Sequence, residues 1–305
     1  ERGIGGIVTV VGEAGIGKSR LVTELRKRAT DGALVQWVEG RCLSYGSSTA
    51  YLPWLDMLRD LVHVAQDAPP AAAIDALHAR VDTLCPDCFD AVYPYLPRLY
   101  SLSGEPNDQG AISLEGESLR VQIFYAVETV IESAAQREPL VIVCDDLHWA
   151  DATSLALLER VLELVDRAPV LYICVYRPEP EHPSWQIRET AARLYHHRHT
   201  DLWLDALSLD ESQALVGHLL QIEALPAALQ ARILDHAAGN PFYVEEILRA
   251  LIDAAMVQFR LTSKDKAERL GEATLPTVRD AVAAEAAKIV ALTADLERAV
   301  VAVGE

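Results

Sequence analysis

The sequence predicts an α/β fold: a mainly parallel sheet covered by helices on both faces, followed by a separate helical subdomain. Three observations carry this. Short apolar runs alternate with segments whose apolar residues recur at helical spacing. The runs are continuous rather than alternating, as strands buried on both faces require. Beyond Leu207 the runs cease, and three consecutive helical patterns follow.

The first strand, Ile7 to Val11, runs into Gly12-Glu13-Ala14-Gly15-Ile16-Gly17-Lys18-Ser19, and an amphipathic helix, Arg20 to Ala29, leaves it. The octapeptide fits the phosphate-binding pattern G-x-x-x-x-G-K-[ST] in its required strand–loop–helix context. Glycines let successive N–H groups converge on phosphate oxygens, and the helix N-terminus adds partial positive charge. Lys18 supplies a point charge for the β- and γ-phosphates, and Ser19 a hydroxyl for Mg²⁺. A Gly-rich turn between strand and helix is the plainer alternative.

Leu34 to Glu39 is the second strand, reached by a helical crossover. A helix opening at Tyr51-Leu52-Pro53-Trp54 reaches about Ala65, and another covers Ala71 to Val81. From Leu84 to Gly110 the chain is rich in Pro, Gly, Asp and Ser, predicting a loop-rich insertion rather than core. The whole excursion runs from about residue 46 to 112. Leu114 to Gln136 is a helix packing Leu119, Ile123, Val127, Val130 and Ile131 on the sheet.

Leu140 to Cys144 is a buried strand ending in Asp145-Asp146. A helix from Ala152 to Asp166 carries Leu155, Leu158, Leu162 and Val165 on one face. The strand Val170 to Tyr176 ends at Arg177, and Pro178 stops it; a helix from Trp185 to Tyr195 and a short strand, Asp201 to Leu204, complete a core of residues 1–207. Asp210 to Leu220, capped by Asp210, Pro226 to Ala238, and Pro241 to Ala255, opened by Asn240-Pro241, form the helical subdomain, residues 208–255. Residues 256–275 read as a hairpin or linker, and Thr277 to Leu292 with Ala294 to Val303 as two helices of a third unit. The abrupt start and end suggest a fragment of a longer chain.

Half of the 305 residues are apolar, enough for a large core and more than one domain. The longest apolar runs, such as Pro139 to Cys144, are far shorter than a membrane span and no leader opens the sequence, so a cytoplasmic protein without a membrane partner is expected. A net charge of −18 argues against a broad nucleic-acid surface. Cys144 and Cys174 read as buried small hydrophobes, whereas Cys85-Pro-Asp-Cys88 has the spacing of a redox pair or half a zinc site but no second ligand pair. His196-His197-Arg198-His199 reads as a solvated helix end. Tyr45, Tyr51 and Trp54 would either contact a base or, the better reading, pack in the core.

A phosphate loop needs a metal partner at the end of a neighbouring strand. Asp145 closes such a strand, where it can hold the water shell of the Mg²⁺ that Ser19 ligates, and Asp146 would orient or deprotonate the attacking water. Two acids after a buried strand can also simply start a loop.

Gly12 to Ser19 followed by Arg20-Leu21, then Asp145-Asp146-Leu147-His148-Trp149-Ala150-Asp151, then Gly239-Asn240-Pro241-Phe242-Tyr243-Val244-Glu245-Glu246, resemble the signal-transduction ATPases with numerous domains, the STAND class. Within it the chain is similar to the AAA-like modules of large bacterial LuxR-type regulators and of cyclase- or kinase-linked signalling proteins. The resemblance covers nearly the whole chain. It implies a P-loop NTPase core, a helical lid and a winged-helix domain of which residues 276–305 are only the beginning. By resemblance the nucleotide is ATP, exchanged for ADP, with Mg²⁺; no Asn-Lys-x-Asp element for guanine is present. Arg20 is counted with the nucleotide-binding loop.

Arg177 matches the sensor arginine that reads the γ-phosphate, or is a solvated strand-end charge. Pro241 matches the lid proline of the Gly-x-Pro motif, while serving equally as a helix-opening residue. His148 and Trp149 match the signature without a defined chemical role beyond positioning the loop near the γ-phosphate, and Asp151 suits the simpler role of capping the next helix. No arginine finger is evident, so hydrolysis is expected to be slow or dependent on a neighbouring protomer.

The leading expectation is an ATP-binding and ATP-hydrolysing signalling switch, partnered by sensor and output domains of the same longer chain. A nucleotide-dependent oligomerisation scaffold with negligible turnover is the alternative. A DNA-binding regulator ranks below both, because residues from Thr277 onward carry few Lys or Arg.

Overall fold

The computed structural model describes residues 5–31, 35–44, 50–63, 69–101, 116–220 and 227–253. The hairpin and the third unit expected at residues 256–305, and Tyr45 with the packing expected of it, lie outside them. Contacts divide the chain into two compact units, one running through Leu204 and the other beginning at Asp205, with Gly15–Gly17 grouped in the latter.

Among the described residues the first unit is built on five strands, β1 (Gly6–Gly12), β2 (Gln36–Arg41), β3 (Leu140–Asp145), β4 (Val170–Tyr176) and β5 (His199–Leu204). All pairings are parallel and the order is β2-β3-β4-β1-β5, so the expected parallel sheet is present. Every residue of β3 is buried. Alternation sends Leu140, Ile142 and Cys144 to one face, and Val141 and Val143 to the other, each into its own apolar cluster.

On the second face lies Val22 of α1 (Lys18–Thr30). On the first lie α2 (Leu52–Leu61), α3 (Pro70–Leu84), α4 (Phe89–Val92), α5 (Leu96–Ser101), α6 (Gly116–Arg137) and α7 (Ala152–Val161), which all contribute to the larger cluster. The expected α6 face is the one that packs: Ile123, Val127, Val130 and Ile131 are buried. Gly40 permits α2 to lie against β2, since a Cβ there would meet the Pro53 carbonyl oxygen at 2.4 Å.

Register brings the functional ends together. Val11 is opposite Tyr176 and Cys144 opposite Cys174, so β1, β4 and β3 terminate along one edge of the sheet. This carboxyl edge is where ligands bind in open α/β sheets.

Three expectations need correction. Of the stretch expected to be loop-rich, the described part, residues 85–101, is not loop: 3₁₀ turns at Pro86–Cys88 and Tyr93–Tyr95 alternate with α4 and α5, and Val92, Leu96 and Leu99 are fully buried in the main core. Pro86 and Pro94 sit in first turns, where the missing N–H costs nothing, so the prolines mark helix starts. The last strand begins at His199, not Asp201, and His199 is therefore not part of a solvated helix end. The helix before it, α8, spans Trp185–Leu194. His199 Nε2 shares a hydrogen bond with Thr9 Oγ1 at 2.9 Å, and Thr9 also donates to Asp201, which satisfies polar side chains inside the β1–β5 pair.

Asp201 is further held by Arg188 of α8, whose guanidinium lies 5.0 Å from the Trp185 ring and 5.3 Å from the Trp203 ring. Burial alone would raise the Asp201 carboxyl, but hydrogen bonds from Arg188, Thr9 and Trp203 outweigh it and bring its pKa down to about 2. A depressed carboxylate contributes stability above its unfolded pKa near 4, lost as pH falls through the folded value. Denaturant unfolding between pH 5 and pH 2 is therefore expected to show the native chain losing about 1–2 kcal/mol more than Asp201→Asn, allowing for partial exposure of the group. Parallel pH dependences would remove this account.

The second unit contains α9 (Leu209–Leu220), α10 (Ala227–Ala237) and α11 (residues 241–253). Val216, Leu229, Ile233, Leu234, Ala237, Val244 and Leu248 form its core. Asn240 Oδ1 accepts the Phe242 N–H at 3.0 Å, so Asn240-Pro241 opens α11 as expected. The third correction concerns α9, where Ser208 rather than Asp210 is the cap. The Glu211 N–H donates to Ser208 Oγ at 3.3 Å and the Ser208 N–H to Glu211 Oε2 at 2.8 Å, a reciprocal capping box. Among the described residues no helix is long and apolar enough to cross a membrane.

Candidate functional site

At the carboxyl edge of β1 the chain turns through Gly12–Gly17 into α1. Gly17 has φ +105° with nothing near its Cβ position, so glycine is required there by backbone conformation alone. Lys18 and Ser19 are the first residues of α1, where backbone N–H groups have no intrahelical acceptor. Lys18 is buried, and its Nζ donates to the carbonyl oxygens of Gly12 at 2.7 Å and Glu13 at 2.9 Å. Burial lowers its pKa most; Asp146 opposes that shift and Arg177 adds to it. A bound anion would relieve both effects.

From the end of β3, Asp145 faces the same loop. Ser19 Oγ lies 3.5 Å from Asp145 Oδ2, at the long limit of a hydrogen bond across 126 positions of sequence. Burial, and then the neighbouring Asp146, raise the Asp145 carboxyl. A hydroxyl and a carboxylate facing each other, with a second acid adjacent, fit a hard divalent cation, whose charge would offset both penalties. Among the described residues no group of three or more His, Cys, Asp or Glu could hold a metal alone. A cation here would thus depend on substrate phosphates and water, the usual habit of Mg²⁺.

Asp146 adopts φ 57°, ψ 42°, the left-handed region that non-glycine residues seldom enter. Its Oδ2 is 3.5 Å from Arg41 Nη2, and its Oδ1 is 4.0 Å from His148 Nδ1. Arg177 follows β4 directly, close enough to influence both Lys18 and His148 electrostatically.

The structure thus brings Gly12, Lys18, Ser19, Asp145, Asp146 and Arg177 to one edge. Arg20 is directed elsewhere, its guanidinium meeting Glu24 along α1 at 3.4 Å. Pro241 belongs to the second unit, at the start of α11. Asp151 is the N-cap of α7, accepting the Thr153 and Ser154 N–H groups at 3.0 and 2.9 Å. Tyr51 and Trp54 are core residues, and Trp54 Nε1 donates to the Ser154 carbonyl at 3.2 Å. The Cys85 and Cys88 sulfurs lie together across Pro86-Asp87, while Cys144 and Cys174 are buried.

Arg41 was not anticipated. It ends β2 opposite Asp145, a position that only the β2–β3 register reveals. Its charge partly counters the raised Asp145 carboxyl.

A family model described as an AAA ATPase domain matches residues 1–174, and one described as a domain of unknown function matches residues 208–259. An uncharacterized protein of Rhizobium meliloti is 32% identical over 178 residues, 58% of this chain and 16% of that protein. Adenylate cyclase type 10 of Rattus norvegicus is 24% identical over 123 residues, 40% of this chain and 7% of the cyclase. The chain therefore spans only a small part of either relative. Among solved structures, a STAND protein with a tetratricopeptide repeat sensor from Pyrococcus horikoshii is 15% identical, with 88% of this chain and 30% of that one covered and a TM-score of 0.35. The Aeropyrum pernix ORC2 protein is 18% identical, with 92% and 62% covered and a TM-score of 0.46.

Proposed function

We propose that this chain, which belongs to the AAA ATPase domain family, is an ATP-binding and ATP-hydrolysing signalling switch that couples nucleotide state to an output domain elsewhere in a longer protein. The observation that carries the reading is the meeting of Lys18, Ser19, Asp145, Asp146 and Arg177 at the ends of three neighbouring strands. The loop N–H groups and Lys18 would bind the β- and γ-phosphates of ATP, Lys18 exchanging its two backbone carbonyls for phosphate oxygens. Mg²⁺, held through Ser19 and Asp145, would neutralise charge on the phosphate oxygens. Asp146 would orient the attacking water and accept its proton, and Arg177 would contact the γ-phosphate.

The switch reading assigns residues 1–207 to the core, 208–255 to a lid, 256–275 to a connection and 276–305 to the start of a winged-helix domain. In it Pro241, opening α11, couples the lid to the bound nucleotide, and ADP replaces ATP when the switch resets. The match to a small part of a relative named as an adenylate cyclase supports a module acting beside an output domain.

Equilibrium binding of ATP with and without Mg²⁺, on wild type and Ser19→Ala, tests the site. Mg²⁺ should tighten binding to wild type, and the variant should forfeit about tenfold of that gain, roughly 1.4 kcal/mol. Equal Mg²⁺ dependence in both would remove the metal-bridged reading. Tight ATP·Mg²⁺ binding with no phosphate release would favour an assembly scaffold instead.

A further inference from the structure

His148, at this edge, has no part in the roles above. The residue is 4% exposed, and neither Nδ1 nor Nε2 has a hydrogen-bond partner. An apolar ring would fill the same space without leaving a dry donor and a dry acceptor, so packing alone does not account for an imidazole. Asp146 in its left-handed conformation begins a 3₁₀ turn, Leu147–Trp149, closed by the Trp149 N–H to Asp146 oxygen bond at 2.9 Å and the Ala150 N–H to Leu147 oxygen bond at 3.1 Å. That turn folds the imidazole back toward the carboxylate two residues earlier, leaving Nδ1 4.0 Å from Asp146 Oδ1. The gap exceeds a hydrogen bond, so the contact forms only when one of the two side chains moves.

The charged groups that act on the ring are Arg177, Asp146, Glu179 and Lys18. Burial, then Arg177, lowers its pKa from the ordinary histidine value, so at neutral pH the ring is uncharged, with one N–H to give and one lone pair to receive. A neutral donor can fix the carboxylate without adding a second cation to the Arg41 guanidinium already 3.5 Å from Asp146 Oδ2.

We propose that His148 is a positioning residue for ATP hydrolysis: its Nδ1–H holds the Asp146 carboxylate toward the attacking water, and Nε2 accepts a hydrogen bond that the nucleotide-filled site supplies. The inference rests on the ATPase reading of this edge. In the step it serves, the water oxygen bonds to the γ-phosphorus, the water proton passes to Asp146, and the β–γ bridging oxygen departs with ADP.

The test compares single-turnover cleavage of ATP·Mg²⁺, equilibrium affinity for ATP·Mg²⁺ and Tm for the 305-residue chain and its variants. His148→Phe should keep its affinity within about twofold and its Tm, while cleavage falls on the order of tenfold or more. His148→Asn, whose amide N–H approximates Nδ1–H, should recover part of the rate, and His148→Gln, which approximates Nε2, should recover less. Cleavage by the Phe variant at the wild-type rate would overturn the proposal. So would equal losses in the Asn and Gln variants accompanied by weakened affinity and Tm, which would assign a structural role. Should the Phe variant fail to fold, the order of Asn over Gln decides alone. Unchanged ATP affinity in Lys18→Ala would instead overturn the reading beneath the proposal, whatever the His148 variants do.

Discussion

Lys18→Ala is expected to weaken ATP·Mg²⁺ binding about a hundredfold, roughly 2.7 kcal/mol. The ammonium is buried at the first turn of α1 and spends its hydrogen bonds on the Gly12 and Glu13 carbonyl oxygens. Phosphate oxygens would replace those neutral acceptors with charged ones, and charge-assisted hydrogen bonds are the stronger class. Removing the side chain takes away the point charge but leaves the backbone N–H cradle, so some affinity should survive. Lys18→Arg should not restore binding, because a planar guanidinium cannot occupy a pocket shaped for a compact ammonium. Calorimetric titration checks both variants, and equal affinity for wild type and Lys18→Ala would sink the phosphate role.

Asp146→Asn should slow single-turnover phosphate release by about 10²–10³-fold while leaving ATP affinity nearly unchanged. The amide keeps the shape of the carboxylate but cannot take a proton from water. Asparagine is also one of the few residues that accepts the left-handed backbone at this position. The substitution removes a like charge beside the buried Asp145, one reason the Asp145 carboxyl is raised. Stability should therefore hold, and a slower rate could not be attributed to unfolding. Wild-type release from this variant would remove Asp146 from the chemistry.

The sheet was legible because its central strands are buried on both faces. Leu140–Asp145 and Val170–Tyr176 are apolar nearly throughout, and their bounds differ little from those the sequence predicts. The phosphate loop was equally plain, since its spacing and its strand–helix context coincide. Polar residues misled where tertiary partners satisfy them: His199 belongs to β5 because Thr9 on the neighbouring strand meets it. Prolines misled where they begin helices, as at Pro86 and Pro94. Ser208-x-x-Glu211 was a readable capping box, overlooked because Asp210 is itself a common cap. Arg41 could not be read at all, because its approach to Asp146 depends on strand register across 105 positions. The motif containing His148 was visible, whereas the burial of both its ring nitrogens was not.

The switch itself is tested most directly by amide hydrogen exchange across residues 227–253, which hold α10 and α11, with ATP·Mg²⁺, with ADP and without nucleotide. If nucleotide state sets the lid, the amides around Asn240-Pro241 should exchange about tenfold more slowly with ATP·Mg²⁺ than with ADP. Identical exchange in all three states would contradict it.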